Sequence, residues 1–179
     1  MKTMNLLIAG FGGQGVLFAG KFLAYGALMQ ERQVSWLPSY GPEMRGGTAN
    51  CCVIISDDPV GSPIVSEPDH LIVMNLPSFE KYQNAVQTGG VILLDSTLIA
   101  ARPTRTDVTT HAIPATQMAA DAGLDGLANM VLMGKFLKEC YPEGFAIMEQ
   151  MLEKVVPPKK AHLIEANLRA LQLGAEYAE

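Results

Sequence analysis

The sequence predicts an α/β protein: a single doubly wound, mainly parallel sheet with a helical C-terminal third, in one domain spanning 1–179. Three observations predict it. Short apolar runs bounded by Gly, Pro or Asn alternate with stretches of helical periodicity through the first two thirds of the chain. The first run leads through a glycine cluster straight into a helical pattern. From Ala115 onward the periodicity is helical almost throughout. A chain of 179 residues is of ordinary one-domain length and long enough to bury a substantial core.

The elements follow in order. Asn5–Ala9 is a buried strand ending at glycine. From Gly13 to Gln30, Val16, Phe18, Ala19, Phe22, Leu23 and Ala27 recur at helical spacing. Val34–Leu37 is a second strand closed by Pro38, and a Gly- and Pro-rich loop, Ser39–Thr48, separates it from a third, Asn50–Ser56. A further loop, DDPVGSPIVSEPD, leads to a fourth strand, Leu71–Asn75. Pro77 opens a helix that runs to about Gln87 and stops at Gly89-Gly90. Val91–Leu94 is a fifth strand ending at Asp95, and Asp107–Ile113 a weaker sixth with Pro114 behind it. Helices are expected over Ala115–Ala122, Leu127–Cys140, Phe145–Val155 and from His162 onward, with Pro157-Pro158 separating the last two.

Composition narrows the function. Hydrophobic residues make up 49% and charged residues only 17%, against about 25% in average domains. Such a charge-poor surface fits either a compact fold or one partly covered by a partner. Net charge is -5 with no Lys/Arg block, which excludes nucleic acid as the expected partner. No signal peptide and no membrane-length apolar segment is visible, so a cytoplasmic location is the default expectation. Cys51 and Cys52 are strand neighbours facing opposite ways, and Cys140 is remote; without a C-x-x-C they do not make an iron–sulfur site.

Gly10-Phe11-Gly12-Gly13-Gln14-Gly15 satisfies G-x-G-x-x-G between a strand and a helix, a Rossmann-like context. Glycine there lets the backbone turn sharply and approach a diphosphate, whose charge meets helix N-terminal N–H groups. A tight turn without ligand is the alternative. A nicotinamide dinucleotide reading lacks its carboxylate: the second strand ends VSWLPSY, placing Ser39 where Asp or Glu would hold the ribose, and Glu31 is at the wrong end. Gly15–Lys21 also matches G-x-x-x-x-G-K, but Phe22 replaces the Ser or Thr that would hold Mg²⁺.

The second loop, PSYGPEMRGGTANC, combines unusual backbone specification with Tyr40, Glu43 and Arg45. It follows the second strand, so it is expected at the same sheet edge as the glycine loop, with Arg45 able to clamp a phosphate or carboxylate. Pairing of Arg45 with Glu43 or a partner chain is the alternative. Ser78 is a first-turn backbone partner rather than a nucleophile. His70, His111 and His162 have no matching nucleophile, no metal-ligand spacing occurs, and Asp95, ending a strand at the functional edge, is the carboxylate that stands out as a candidate. The picture is a binding edge without a catalyst of its own.

The segments GFGGQGVLFAGKFLA, PSYGPEMRGGTANCCVIISDDPVGSPIV, DHLIVMNLPSFEKY, IPATQMA, ANMVLMGKFL and LIEANLRALQLG together resemble the gamma subunit of 2-oxoacid:ferredoxin oxidoreductases over nearly the whole chain. The resemblance implies oxidative decarboxylation of a 2-oxoacid to an acyl-CoA with electrons passed to ferredoxin. It implies thiamine diphosphate and iron–sulfur clusters on alpha, beta and delta partner subunits, and coenzyme A contacted by this chain. Gly10, Gly12, Gly13, Gln14 and Gly15 would then cradle a CoA phosphate, with Ser39 and Arg45 beside them. SYGPEMRGGTANC is similar to 2-oxoglutarate and branched-chain members, whereas the pyruvate variant is nearer F-G-x-E-R-R-G-A. Pyruvate, branched-chain and indolepyruvate gamma subunits, a small dehydrogenase and a stand-alone nucleotide-binding regulator are the rival readings, and a subunit isolated from its partners is expected to be able to self-associate.

Overall fold

The computed structural model describes residues 3–39 and 48–178. Its elements are β1 (Met4–Phe11), α1 (Val16–Met29), β2 (Gln33–Ser39), β3 (Thr48–Ser56), β4 (His70–Val73), α2 (Leu76–Tyr82), β5 (Val91–Asp95), β6 (Thr109–Ile113), α3 (Ala115–Asp121), α4 (Ala128–Cys140), α5 (Pro142–Ala146), α6 (Met148–Val155) and α7 (Ile164–Glu176). Six strands form one sheet in the order β2-β3-β1-β4-β5-β6.

The α/β class and the single, mainly parallel sheet are as expected, with one strand that runs against its neighbours. β1, β4, β5 and β6 are parallel, while β3 is antiparallel to both β1 and β2. Chain length explains it. A parallel crossover needs a dozen or more residues, usually helical, and the segment between β2 and β3 is too short for one. Pro38 lies inside β2 rather than closing it, opposite Cys51; β2 is an edge strand, where a missing N–H is tolerated.

Both faces of the sheet are covered, unequally. Along β1, Leu6 and Ile8 join the larger core beneath α1, α4, α6 and α7, whereas Leu7 and Ala9 join a smaller core with Phe79 of α2 and Ile99. Cys51 and Cys52 divide the same way, one per face. In the larger core α4 and α7 cross very closely. A Cβ on Gly134 would run into the Leu171 carbonyl, and one on Gly174 into that of Val131. Buried Lys135 lies beside this crossing, its Nζ donating to Glu139 Oε1 at 2.9 Å and to the Tyr177 carbonyl at 3.2 Å.

Three helix boundaries differ from the sequence reading. α2 ends at Tyr82 and passes into a 3₁₀ turn, Gln83–Ala85, instead of continuing to Gln87. The expected helix Phe145–Val155 is two, α5 and α6, broken at Ile147, whose backbone (φ -120°, ψ 16°) is neither helical nor extended. A 3₁₀ turn, Pro158–Leu163, precedes α7, because proline cannot donate into an α-helical ladder.

Candidate functional site at the carboxyl edge of β1 and β4

β1 delivers the glycine loop to the edge where the parallel strands end. Gly13 (φ 96°) and Gly15 (φ 75°) both adopt the left-handed region, which other residues enter only with strain. The two glycines differ in surroundings. A Cβ at Gly13 would meet nothing within 4 Å, so the backbone there is open to approach. A Cβ at Gly15 would meet the Asn129 side chain, whose Nδ2 donates to the Gly15 carbonyl at 3.2 Å. Gly10 is closely packed: a Cβ there would stand 2.7 Å from Gln14 Oε1, 3.0 Å from Val16 Cγ2 and 3.1 Å from Met74 Cβ. Gly12 is exposed at the tip.

Gln14 braces the loop rather than projecting from it. Its Oε1 accepts the Phe11 N–H at 2.6 Å, and its Nε2 donates to the Met74 carbonyl at 2.9 Å, lacing the loop to the end of β4. Met74 in turn donates its N–H to the Ala9 carbonyl at 2.9 Å. The two strand ends are thereby locked together beneath the loop.

α1 then starts from Gly15 with no side-chain cap and no acidic residue in its first turn. The first-turn N–H groups have no intrahelical acceptor, and the positive end of the helix dipole is uncompensated. Beside it lies a cleft of about 270 Å³ lined by Phe11, Gly12, Gly13, Leu17, Phe18 and Ala49. A smaller hollow of about 200 Å³ lies on the other side of the loop, between Gln14, Met74, Thr116 and Asp125. The Asp125 carboxylate there opposes an anion, so the cleft along Phe11 and Phe18 is the one suited to a phosphate with an apolar attachment.

On its β3 side, β1 lacks the parallel neighbour that carries the ribose site of a dinucleotide enzyme. β3 runs the opposite way, so Thr48 opposes Phe11 and this edge meets the beginning of a strand, not the end of a parallel one. Ser39, exposed at the end of β2, pairs with Asn50 across β3 and stands two strand spacings from β1, about 10 Å. Ser39 and Thr48 bring both ends of the second loop to the glycine-loop edge, through a hairpin instead of a crossover. Tyr40–Gly47, including Arg45, lie outside the described residues.

Other candidates are occupied structurally. Asp95 is fully buried and accepts from the Thr97 N–H at 3.1 Å, the Thr116 N–H at 3.2 Å and the Thr116 hydroxyl at 2.5 Å, tying β5 to the start of α3. His70, at the opposite sheet edge, pairs with Asp69 at 2.6 Å and packs edge-on to Phe136. Burial pushes the Cys51 thiol up to about 12 and that of Cys140 up to about 11, which keeps both protonated and poor metal ligands. Among the described residues no group of three or more His, Cys, Asp or Glu side chains could hold a metal ion. No helix among them is long and apolar enough to cross a membrane.

Two residues escaped the sequence reading. Asn75 caps α2, accepting the Ser78 N–H at 2.8 Å, which gives Ser78 its backbone role. Asn129, on α4, holds Gly15. Asn75 Nδ2, Ser78 Oγ and Asn129 Oδ1 are buried with no hydrogen-bond partner among the described residues, all close to the loop or to the strand that supports it. Asn before Leu-Pro was the available signal for the first; nothing local announces the second.

The chain matches the family described as pyruvate ferredoxin/flavodoxin oxidoreductase over residues 5–177. Ketoisovalerate oxidoreductase subunit VorA of Methanothermobacter thermautotrophicus is 40% identical over 98% of this chain, but the chain spans only 36% of that relative's length. 2-Oxoglutarate synthase subunit KorC of Methanocaldococcus jannaschii is 34% identical over 98% of this chain and 94% of its own. Among solved structures, the keto/oxoacid ferredoxin oxidoreductase gamma subunit of Geobacter sulfurreducens aligns with TM-score 0.82 and 29% identity, covering 97% and 96% of the two chains. The fold also recurs, at 21% identity and TM-score 0.84, within 31% of a chain of the Magnetococcus marinus 2-oxoglutarate:ferredoxin oxidoreductase with 2-oxoglutarate, coenzyme A and succinyl-CoA bound, covering 98% of this chain. The chain belongs to the pyruvate ferredoxin/flavodoxin oxidoreductase family.

Proposed function

From this family membership we propose that the chain is the gamma subunit of a 2-oxoacid:ferredoxin oxidoreductase, acting only within a complex that converts a 2-oxoacid and CoA to acyl-CoA and CO₂ while reducing ferredoxin. Thiamine diphosphate and iron–sulfur clusters belong, in this reading, to alpha, beta and delta partners. The donor set here agrees: two of the three thiols are held protonated by burial, and His70 and Asp95 are engaged in the scaffold.

The observation that carries a role in CoA binding is the uncapped, acid-free start of α1, entered through an open left-handed glycine and flanked by an apolar cleft. Backbone N–H groups of Gly12, Gly13 and Gly15 to Phe18 would receive a CoA phosphate, the Gln14 N–H being bound to the Phe11 carbonyl, and Phe11, Leu17 and Phe18 would line the less polar part of the ligand. Gln14 keeps the loop in shape for this. Arg45 is proposed to supply the cation, and Ser39 to support that second loop from two strands away. This chain moves no proton and forms no bond; it binds and orients CoA for chemistry performed elsewhere in the complex.

Two substrate readings have specific support. The KorC relative matches this chain almost end to end, which favours 2-oxoglutarate. The VorA relative is more similar in sequence, which favours a branched-chain 2-oxoacid. Native purification through a tag on this chain, with intact mass and a visible spectrum, tests the assignment. A brown multi-subunit complex that turns over one of these acids is expected; a colourless lone chain or homodimer would overturn it.

A further inference from the structure

α1 has two unlike faces. Val16, Ala19, Phe22, Leu23 and Ala27 are buried in the core. On the other side Leu17, Phe18, Lys21, Tyr25, Leu28 and Met29 fall in one strip at helical spacing. None of these six is buried, and Leu28 is 56% exposed. Only Lys21 is charged. A solvent-facing strip of a surface helix is normally polar; here Leu17 and Phe18 are half-buried against the core, and the exposed second half of the strip, Tyr25, Leu28 and Met29, is mainly apolar.

A hollow of about 360 Å³ opens beside the strip, between α1, the end of α6 and the 3₁₀ turn before α7. Leu127, Val155, Val156 and Leu163 line it, together with Phe18 of the strip. Lys21 and Lys160 also line it, and among the described residues neither has a carboxylate within salt-bridge reach. The surface thus has an apolar centre and a cationic rim, on a chain whose net charge is -5.

Resting on the subunit reading above, we propose that the outer strip of α1 and this hollow form the docking surface for a partner chain that brings an apolar ridge flanked by carboxylates. The ridge lies over Tyr25 and Leu28 and enters the hollow toward Val155 and Leu163. The carboxylates meet Lys21 and Lys160. Charge complementarity selects this occupant: an acidic-rimmed partner is repelled by the chain as a whole and attracted here. A second copy placed across the same strip by a two-fold axis would set lysine against lysine. About two thirds of the Methanothermobacter relative's length lies outside the matching region, so a large body of protein accompanies this fold there.

The test uses the tagged full-length chain in its own host, as wild type, as Tyr25→Glu/Leu28→Glu and as Lys21→Glu/Lys160→Glu. The substituted groups are at the surface, so the melting temperature of each purified chain is expected to match wild type. Recovery of partner chains is expected to fall at least about tenfold in both variants, the loss that follows when interface anchors are removed. Wild-type recovery in both variants would overturn this docking surface while leaving the subunit reading intact. A wild-type chain that emerges without partners would overturn both, and a homodimer split by the variants would assign the strip to a second copy and overturn the partner named here.

Discussion

Glycine serves opposite purposes in two regions of this molecule. In the loop after β1, Gly13 is needed for backbone conformation: its φ is 96° and the space where a side chain would stand is empty. At the α4–α7 crossing, Gly134 and Gly174 have ordinary helical backbones, and the space is already filled by the facing helix. One region is kept open for something to approach; the other is closed so tightly that nothing larger than hydrogen fits. The same residue type marks a binding edge in one place and a packing seam in the other, and substitution separates the two.

The largest effect is expected at the seam. Gly134→Ala or Gly174→Ala drives a methyl into a backbone carbonyl that a rigid helix cannot withdraw, and should cost about 3 kcal/mol or more. Urea unfolding of the purified chain measures this; a loss below about 1 kcal/mol would mean the helices separate easily. Asp95→Ala comes next, at about 2–4 kcal/mol, because it strands the Thr97 and Thr116 donors where β5 meets α3. Gln14→Ala should cost about 1–2 kcal/mol in stability by removing two hydrogen bonds that hold the loop to β4. It should also weaken CoA binding, and unchanged CoA kinetics would show that the loop keeps its form without the brace. Gly13→Ala should cost only the strain of the left-handed backbone, about 1–2 kcal/mol, with its main effect on ligand approach.

The smallest effect is in acid. The Arg105 guanidinium, and then the Thr88 hydroxyl, hold the Asp107 carboxyl well below the usual carboxylate range. A depressed folded value contributes stability above the unfolded value of about 3.9, lost as pH falls below it. Asp107→Asn should therefore flatten the acid limb of the stability curve and leave neutral pH nearly unchanged; an unaltered acid limb would show that the pair is too well solvated to matter.

Much of the fold was legible because burial leaves a periodic trace. Every strand and the principal helices were placed from alternating apolar runs, turn residues and prolines. The antiparallel β3 was not placed, because strand direction is not written in the strand; the missing crossover between Ser39 and Thr48 was the only cue. The break at Ile147 was also hidden, since Ile147 continues the apolar pattern while leaving helical geometry. At the site, the glycine motif was visible, but its division of labour was not. Asn129 supports Gly15 from 114 residues away, and no local pattern encodes such a contact. Gln14, expected as a ligand contact, braces the loop through its side chain. The α4–α7 seam carried no sequence signal at all, because a glycine required for space looks the same as one that is merely tolerated.

The most direct test of the account is the Michaelis constant for CoA of the assembled enzyme, wild type against Gly12→Val. Gly12 is at the exposed tip of the loop, so the branched side chain should block approach without disturbing the core. The account predicts an unchanged melting temperature and complex mass, with the CoA constant raised at least about tenfold, roughly 1.4 kcal/mol of lost binding. An assembled Gly12→Val enzyme with wild-type CoA kinetics would contradict it and reduce the glycine loop to a tight turn between β1 and α1.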